Sequence, residues 1–343
     1  MIGIPELALW QWLVAFVALA AVLVRASVTL ARAGDEIATR SGLGGLLVGM
    51  LMMAGATSLP EIATDVSAAV AGAPDLAVGD LFGSSMANMA ILALIDLWHR
   101  GRVWLRVEVG HARVGSAAIG LTAVAVLGMI TPQGVALGWV GLDTLLVGLG
   151  YVAAVAWFRR SPIPRGDPET GSALPAPTGW ADAARSLGGV RDALVRFGSA
   201  ALVILVSAPF VVASAQGITQ TSRLDGTFVG VSFLAMATSL AELVASFAAV
   251  RVGAYDLAVG NLFGSNALNM SILVLVDIAY TPGPVLSAVG PSAVVAGVAA
   301  MLMMALAQAA IVHGRETRVR RLEPDAVLLL VAYLGGLAAV WAS

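Results

Sequence analysis

Ala56-Thr57-Ser58-Leu59-Pro60-Glu61 is followed, fourteen positions on, by Asp75-Leu76-Ala77-Val78-Gly79-Asp80-Leu81-Phe82-Gly83-Ser84-Ser85-Met86-Ala87-Asn88. Glu61 and Asp65 lie inside an otherwise apolar run, with Gly55 and Pro60 as helix breakers around the two hydroxyls of Thr57 and Ser58. A carboxylate in a run long enough to cross a bilayer is expensive, so its default reading is functional. The pattern then recurs as Ala237-Thr238-Ser239-Leu240-Ala241-Glu242 and as the block from Asp256 to Asn269.

Shifting the chain by 181 positions lays Leu43–Asp96 on Leu224–Asp277 without a gap, with about half of the positions identical. Apolar bias yields chance matches of Ala, Leu and Val. It does not align Thr57 with Thr238, Ser58 with Ser239, Glu61 with Glu242, Ser84 with Ser265 and Asn88 with Asn269. The duplication is therefore an internal repeat.

The composition places that repeat in a membrane. Of 343 residues, 59% are apolar and 12% charged, far too apolar a balance for a soluble chain of this length. The net charge of −2 says little about partners. No cysteine is present, which excludes disulfides, thiolate metal sites and thiol catalysis. The three histidines, His99, His111 and His313, fall at expected helix ends, which argues against a histidine metal or proton site. The start, Met-Ile-Gly-Ile-Pro-Glu, lacks a basic region and reads as the lead into a retained helix.

The expected architecture is an all-α polytopic membrane protein with ten transmembrane helices. The spans read as 7–31, 43–71, 75–98, 112–131, 136–158, 194–217, 226–250, 256–280, 285–313 and 324–342. Five spans separate corresponding points of the repeat. Five is odd, so the fold reads as two inverted five-helix repeats, 1–158 and 194–343, joined by a cytoplasmic linker, 159–193. Trp180–Arg191 within that linker could form an interfacial helix. Nearly all connection arginines follow odd-numbered spans, and Arg223 alone stands on the other side. The positive-inside rule then puts the odd connections in the cytoplasm and both termini outside.

Inverted repeats with polar, interrupted helices at matching positions point to a transport site near the midplane. Thr57 and Glu61 share a helix face at four-residue spacing, as do Ser84 and Asn88. Doubled, the blocks supply two carboxylates, two carboxamide oxygens and four hydroxyls. Oxygen ligation without a soft donor suits a hard cation, Na⁺ or Ca²⁺. Two carboxylates neutralise one Ca²⁺, or hold Na⁺ with help from neutral oxygens. Unloaded, they would face each other in low dielectric, which disfavours crossing empty.

The paired Thr-Ser-Leu-Pro-Glu and Gly-x-x-Phe-Gly-Ser-x-x-x-Asn blocks resemble the alpha repeats of the cation/calcium exchanger superfamily, most of all its prokaryotic sodium/calcium exchangers. The resemblance covers both repeats and most of the membrane chain. It implies Na⁺-for-Ca²⁺ antiport by alternating access, with the two ions as cargo, no cofactor and no obligate protein partner, in a bacterial or archaeal cytoplasmic membrane. Carried over by position, Glu61 and Glu242 would be the central ligands. Thr57, Ser58, Thr238 and Ser239 would supply hydroxyls, Ser84 and Ser265 further oxygens, and Asn88 and Asn269 amides. Ala54 and Ala235 would contribute backbone carbonyls. Proton-coupled relatives tend to carry an acid where this chain has Asn88 and Asn269, and potassium-dependent ones an Asp at one of them. The amides favour sodium. A proton/calcium exchanger of the same fold is the alternative. An intramembrane enzyme would need a mid-membrane nucleophile and base, and a channel would not show counter-ion dependence.

The second repeat departs from the first. It has Met236 and Ala241 where the first has Gly55 and Pro60, so it lacks both breakers. Asp80 corresponds to Asn261, and Asp65 to Ser246. These accessory acids are expected to form an outward-facing antechamber that concentrates cations or titrates. Other acids read as structural: Asp75 and Asp256 as N-caps, Asp96 and Asp277 as interfacial helix ends. No arginine was placed at mid-span to pair with the glutamates. Gly79, Gly83, Gly260 and Gly264 mean close helix packing.

Overall fold

A computed structural model describes residues 7–40, 57–99, 103, 107, 110–131, 135–160, 190–251, 253–313 and 324–343. Ala54, Gly55 and most of the 159–193 linker lie outside the described residues. The helices are α1 (Leu9–Arg40), α2 (Leu59–Val70), α3 (Pro74–Trp98), α4 (His111–Ile130), α5 (Leu142–Arg160) and α6 (Val190–Ser222). They continue as α7 (Gly226–Thr238), α8 (Leu240–Arg251), α9 (Tyr255–Ala279), α10 (Pro291–His313) and α11 (Pro324–Ala342). Among the described residues seven helices are long and apolar enough to cross a membrane, or eight if the bent pair α7–α8 counts as one span.

One expectation needs correcting at its edge. The fifth span does not begin at 136. Ala136–Leu137 and Val140–Gly141 pair as a two-stranded hairpin around Gly138, whose φ of +70° suits glycine, and the helix starts at Leu142.

Contacts sort the helix ends into two faces. At the first, Asp75 accepts from the N–H of Gly290 (2.9 Å) and the Thr227 hydroxyl (3.5 Å), while Ser292 donates to Asp225 (2.9 Å). At the second, His111 Nε2 lies 3.1 Å from Asp256, and the Tyr255 hydroxyl 2.6 Å from His99 Nε2. The start of α9 thus meets the end of α3, and these two helices run in opposite directions.

Asp75 and Asp256 are therefore not N-caps. Ala73 and Ala254 hold those positions, and the acids tie neighbouring helices together. Asp96 and Asp277, near the ends of α3 and α9, are fully buried within the protein. Asp277 takes hydrogen bonds from the N–H groups of Gly141 (2.7 Å) and Val285 (2.6 Å) and from the Thr144 hydroxyl. Asp96 takes one from Val103 (3.3 Å). Arg25 does lie within a span, α1, but it is exposed there.

α3 is buried along nearly all of its length, because small residues let other backbones close on it. A Cβ on Gly83 would come 2.5 Å from the Val231 Cα, and one on Gly79 2.7 Å from the Thr227 carbonyl oxygen. Gly264, expected to pack in the same way, has no atom within 4 Å of such a position. Around the core stand α1 and α6, the two longest helices at 32 and 33 residues. They pack along each other, share a small apolar cluster (Leu23, Leu30, Ile204, Ala208) that also takes in Ala63 of α2, and are tied by the Arg196–Glu36 ion pair. Trp10, Trp157 and Trp341 are exposed near helix ends, where an indole suits the edge of a bilayer.

Candidate cation site

The two glutamates owe their position to paired helix breaks. Ser58 precedes α2 with φ −89° and ψ 0°, and Ser239 separates α7 from α8 with φ −76° and ψ 0°. The same repeat position thus breaks the helix in both halves, although only the first has Pro60. The second half instead bends by 44° at Ser239, after a π-helical segment, Gly230–Leu234, has loosened the preceding turn. Each break leaves Glu61 or Glu242 in the first turn of a new helix, its carboxylate folded against its own backbone N–H. The N-terminal helix dipole and unpaired N–H groups favour a negative charge there.

Both glutamates are 1% exposed. Glu61 is within electrostatic range of Glu242 and of Asp80, and Thr57 faces the Glu242 carboxylate. The halves also meet through hydroxyls: Ser84 and Thr238 lie 3.2 Å apart, and Thr238 donates to Asp80 at 3.1 Å. Ser84 donates to Asp80 at 3.4 Å, and so does Thr64 at 3.3 Å. Thr64 was not foreseen; Ala245 stands at its repeat position.

Several buried polar atoms have no hydrogen-bond partner: Oε2 of Glu61, both carboxylate oxygens of Glu242, Oδ1 of Asn88, both side-chain polar atoms of Asn269, and the hydroxyls of Ser58, Ser239 and Ser265. Buried polar groups are normally paired, and in hydrocarbon the cost of leaving them unpaired is several kcal/mol each. A set made almost wholly of oxygens, drawn from both halves, fits a dehydrated hard cation. The carbonyl of Ala235 is less free than expected. It accepts from the Ser239 N–H (3.0 Å) and the Thr238 hydroxyl (3.2 Å). Asn266 was also missed: it receives the Asn88 amide at 2.8 Å. In the sequence it is one of four mismatches between the blocks 75–88 and 256–269, and nothing there singles it out.

A family model described as sodium/calcium exchanger protein matches residues 11–158 and 193–342. The inner membrane protein YrbG of Escherichia coli K12 is 28% identical over 248 residues, covering 71% of this chain and 72% of YrbG. Among solved structures, an H⁺/Ca²⁺ exchanger, CAX, superposes with a TM-score of 0.67 at 14% identity, covering 96% of this chain and 85% of that one. The sodium-calcium exchanger NCX_Mj superposes with a TM-score of 0.57 at 20% identity, covering 96% and 99%. At those identities the structures speak for the fold alone. The family match spans nearly the whole chain, and on it this protein belongs to the sodium/calcium exchanger family of cation antiporters.

Proposed function

We propose that this chain exchanges Na⁺ for Ca²⁺ by alternating access between two inverted five-helix repeats, with Glu61 and Glu242 as the central ligands. The observation that carries the reading is the set of unpartnered buried oxygens contributed by both halves around those two carboxylates. Two negative charges match one Ca²⁺. Na⁺ ions, each with half the charge, would use the same carboxylates with the hydroxyls and amides filling their shells. Unloaded, the paired carboxylates repel in a low-dielectric setting, so crossing without cargo is disfavoured. The opposed directions of α3 and α9 support the inverted arrangement. The long packing of α1 along α6 supports their moving as one unit against a core of α2, α3 and α7–α9. YrbG and the arginine pattern support a prokaryotic cytoplasmic membrane with both termini outside.

Sodium coupling is preferred because Asn88 and Asn269 are amides, which do not titrate. Proton coupling is the second reading, since solved exchangers named for either ion share this fold. Ca²⁺ uptake into proteoliposomes preloaded with Na⁺, K⁺ or acid separates the two. The proposal expects uptake driven by internal Na⁺, little response to K⁺ or acid, and loss of uptake in Glu61→Gln. Uptake driven by acid and indifferent to Na⁺ would transfer the assignment to protons.

A further inference from the structure

Asp65 and Asp80 mark the sharpest difference between the halves. Their repeat counterparts, Ser246 and Asn261, are neutral, and the Asn261 amide donates to the Ser246 hydroxyl at 3.4 Å. That pair satisfies itself. In the first half the same two positions carry carboxylates side by side. Asp80 is solvated by hydroxyls, with Oδ1 accepting from Thr238 and Ser84 and Oδ2 from Thr64. Asp65 is not: it is 0% exposed, no hydroxyl or N–H donates to either of its oxygens, and only the Asp80 carboxylate lies within hydrogen-bonding reach. An open antechamber does not describe this pair, since Asp80 is also 0% exposed.

Two adjacent carboxylates inside a membrane protein, one of them without an N–H or hydroxyl partner, call for a shared proton or a positive charge between them. Among the described residues no three acidic or histidine side chains converge on one point. Asp65 lies beside Asp80, which is itself within electrostatic range of Glu61 and Glu242. We infer that Asp65 and Asp80, with the Thr64 hydroxyl beside them, bind a second hard cation on one side of the central glutamates. The inference rests on the exchange reading and deepens it. Oxygen donors select a hard ion, and two carboxylates are neutralised by one divalent ion, so Ca²⁺ is the natural occupant. Thr238 and Ser84 touch Asp80 and belong to the central site, so a cation can pass between the two sites without leaving oxygen ligation. The site is one-sided. Asp65 follows Glu61 toward the α2–α3 turn, at the face where Asp75 meets Gly290, and the opposite approach has only the neutral Ser246–Asn261 pair.

The test installs in the first half what the second half already carries: the double variant Asp65→Ser with Asp80→Asn. In oriented proteoliposomes the KM for Ca²⁺ at the α2–α3 face should rise at least about tenfold, the loss of roughly one charged ligand, and that at the other face less than about twofold. Equal shifts on both faces, or none, would overturn the inference. So would an altered pH profile with unchanged Ca²⁺ affinity, which would mean the pair holds only a shared proton. If the double variant does not assemble, Asp65→Asn alone is read by the same criteria. A binding arm stands apart from transport: equilibrium dialysis with ⁴⁵Ca²⁺ on purified Glu61→Gln/Glu242→Gln protein should show residual binding that Asp65→Ser/Asp80→Asn removes. Absence of that residual binding overturns the second site and leaves the exchange reading untouched. Its presence without any wild-type Ca²⁺ flux overturns the exchange reading and leaves the site.

Discussion

Asn88 donates its side-chain amide to the Asn266 carbonyl oxygen at 2.8 Å, and this single bond decides which way Asn88 points. Asn266 in turn donates to the backbone carbonyl of Ser85 at 3.4 Å. A backbone carbonyl only accepts, so Asn266 must present its nitrogen there and its oxygen to Asn88. Asn88 must then present nitrogen to Asn266, which leaves its Oδ1 unpaired for a cation. Asn269, its repeat counterpart, has no such partner on either atom. One half of the site is oriented in advance and the other is not.

That chain predicts the effect of Asn266→Ala. Without the acceptor, Asn88 loses the bond that fixes its rotamer, worth about 1 kcal/mol. Apparent Ca²⁺ affinity in proteoliposome uptake should fall about fivefold with the maximal rate little changed. Asn266→Asp keeps an acceptor for Asn88 and should recover part of the loss. A variant that lowers the maximal rate alone would show that Asn266 acts on the conformational step.

Glu242→Gln should separate binding from stability. The wild-type carboxylate is fully buried with only its own backbone N–H and the Thr57 hydroxyl to offset its charge, so that charge weakens the ligand-free fold. The amide should melt at the same temperature or higher in detergent, while Ca²⁺ loses its stabilising effect. For the wild type, Ca²⁺ at about a hundred times its Kd should add about 2.7 kcal/mol. Thermal melts with and without Ca²⁺ check both halves of the claim. Equal Ca²⁺ protection of variant and wild type would remove Glu242 from the site.

What could be read from the chain, and what could not, follows from where the physics is local. Glu61 and Glu242 were legible because a carboxylate in an apolar run has few innocent explanations, and because the 181-residue shift doubled the signal. The break before Glu61 was legible through Pro60. The break before Glu242 was not, since a π segment and a bend at Ser239 need no proline and arise from packing against α3. Asp75 and Asp256 misled because an acid at a helix start is usually a cap. Here their partners, Gly290 and His111, lie far away in sequence. Asn266 and Thr64 were invisible for the same reason: their importance is a contact, not a spacing.

The Glu36–Arg196 pair should report on how firmly α1 holds α6. Glu36 is 6% exposed on its side chain and Arg196 36%, so removing the arginine takes a close partner from a buried carboxylate. Arg196→Gln should destabilise the protein by about 1 kcal/mol, and Glu36→Gln by less, because it leaves the exposed partner behind. Melting of the two single variants and the double variant checks this. Additive losses would mean that the two side chains do not stabilise each other.

The glycines make the last prediction, and they make it asymmetrically. Gly83 and Gly264 are repeat counterparts, so sequence alone ranks them equally. A methyl group on Gly83 would overlap the Cα of Val231 at 2.5 Å and the Cβ of Ala235 at 2.7 Å. Those atoms belong to the π segment and the turn after it, which set the bend ahead of Glu242, and backbone cannot swing aside as a side chain can. A methyl on Gly264 meets nothing within 4 Å. Gly83→Ala should therefore destabilise the protein by about 1–3 kcal/mol and, by shifting α7, weaken Ca²⁺ uptake as well. Gly264→Ala should melt and transport like the wild type, or melt slightly higher, since alanine favours a helix over glycine by about 1 kcal/mol. Equal penalties at both positions would mean that α3 and α9 pack alike, against the geometry that presses only α3 onto its neighbour's backbone.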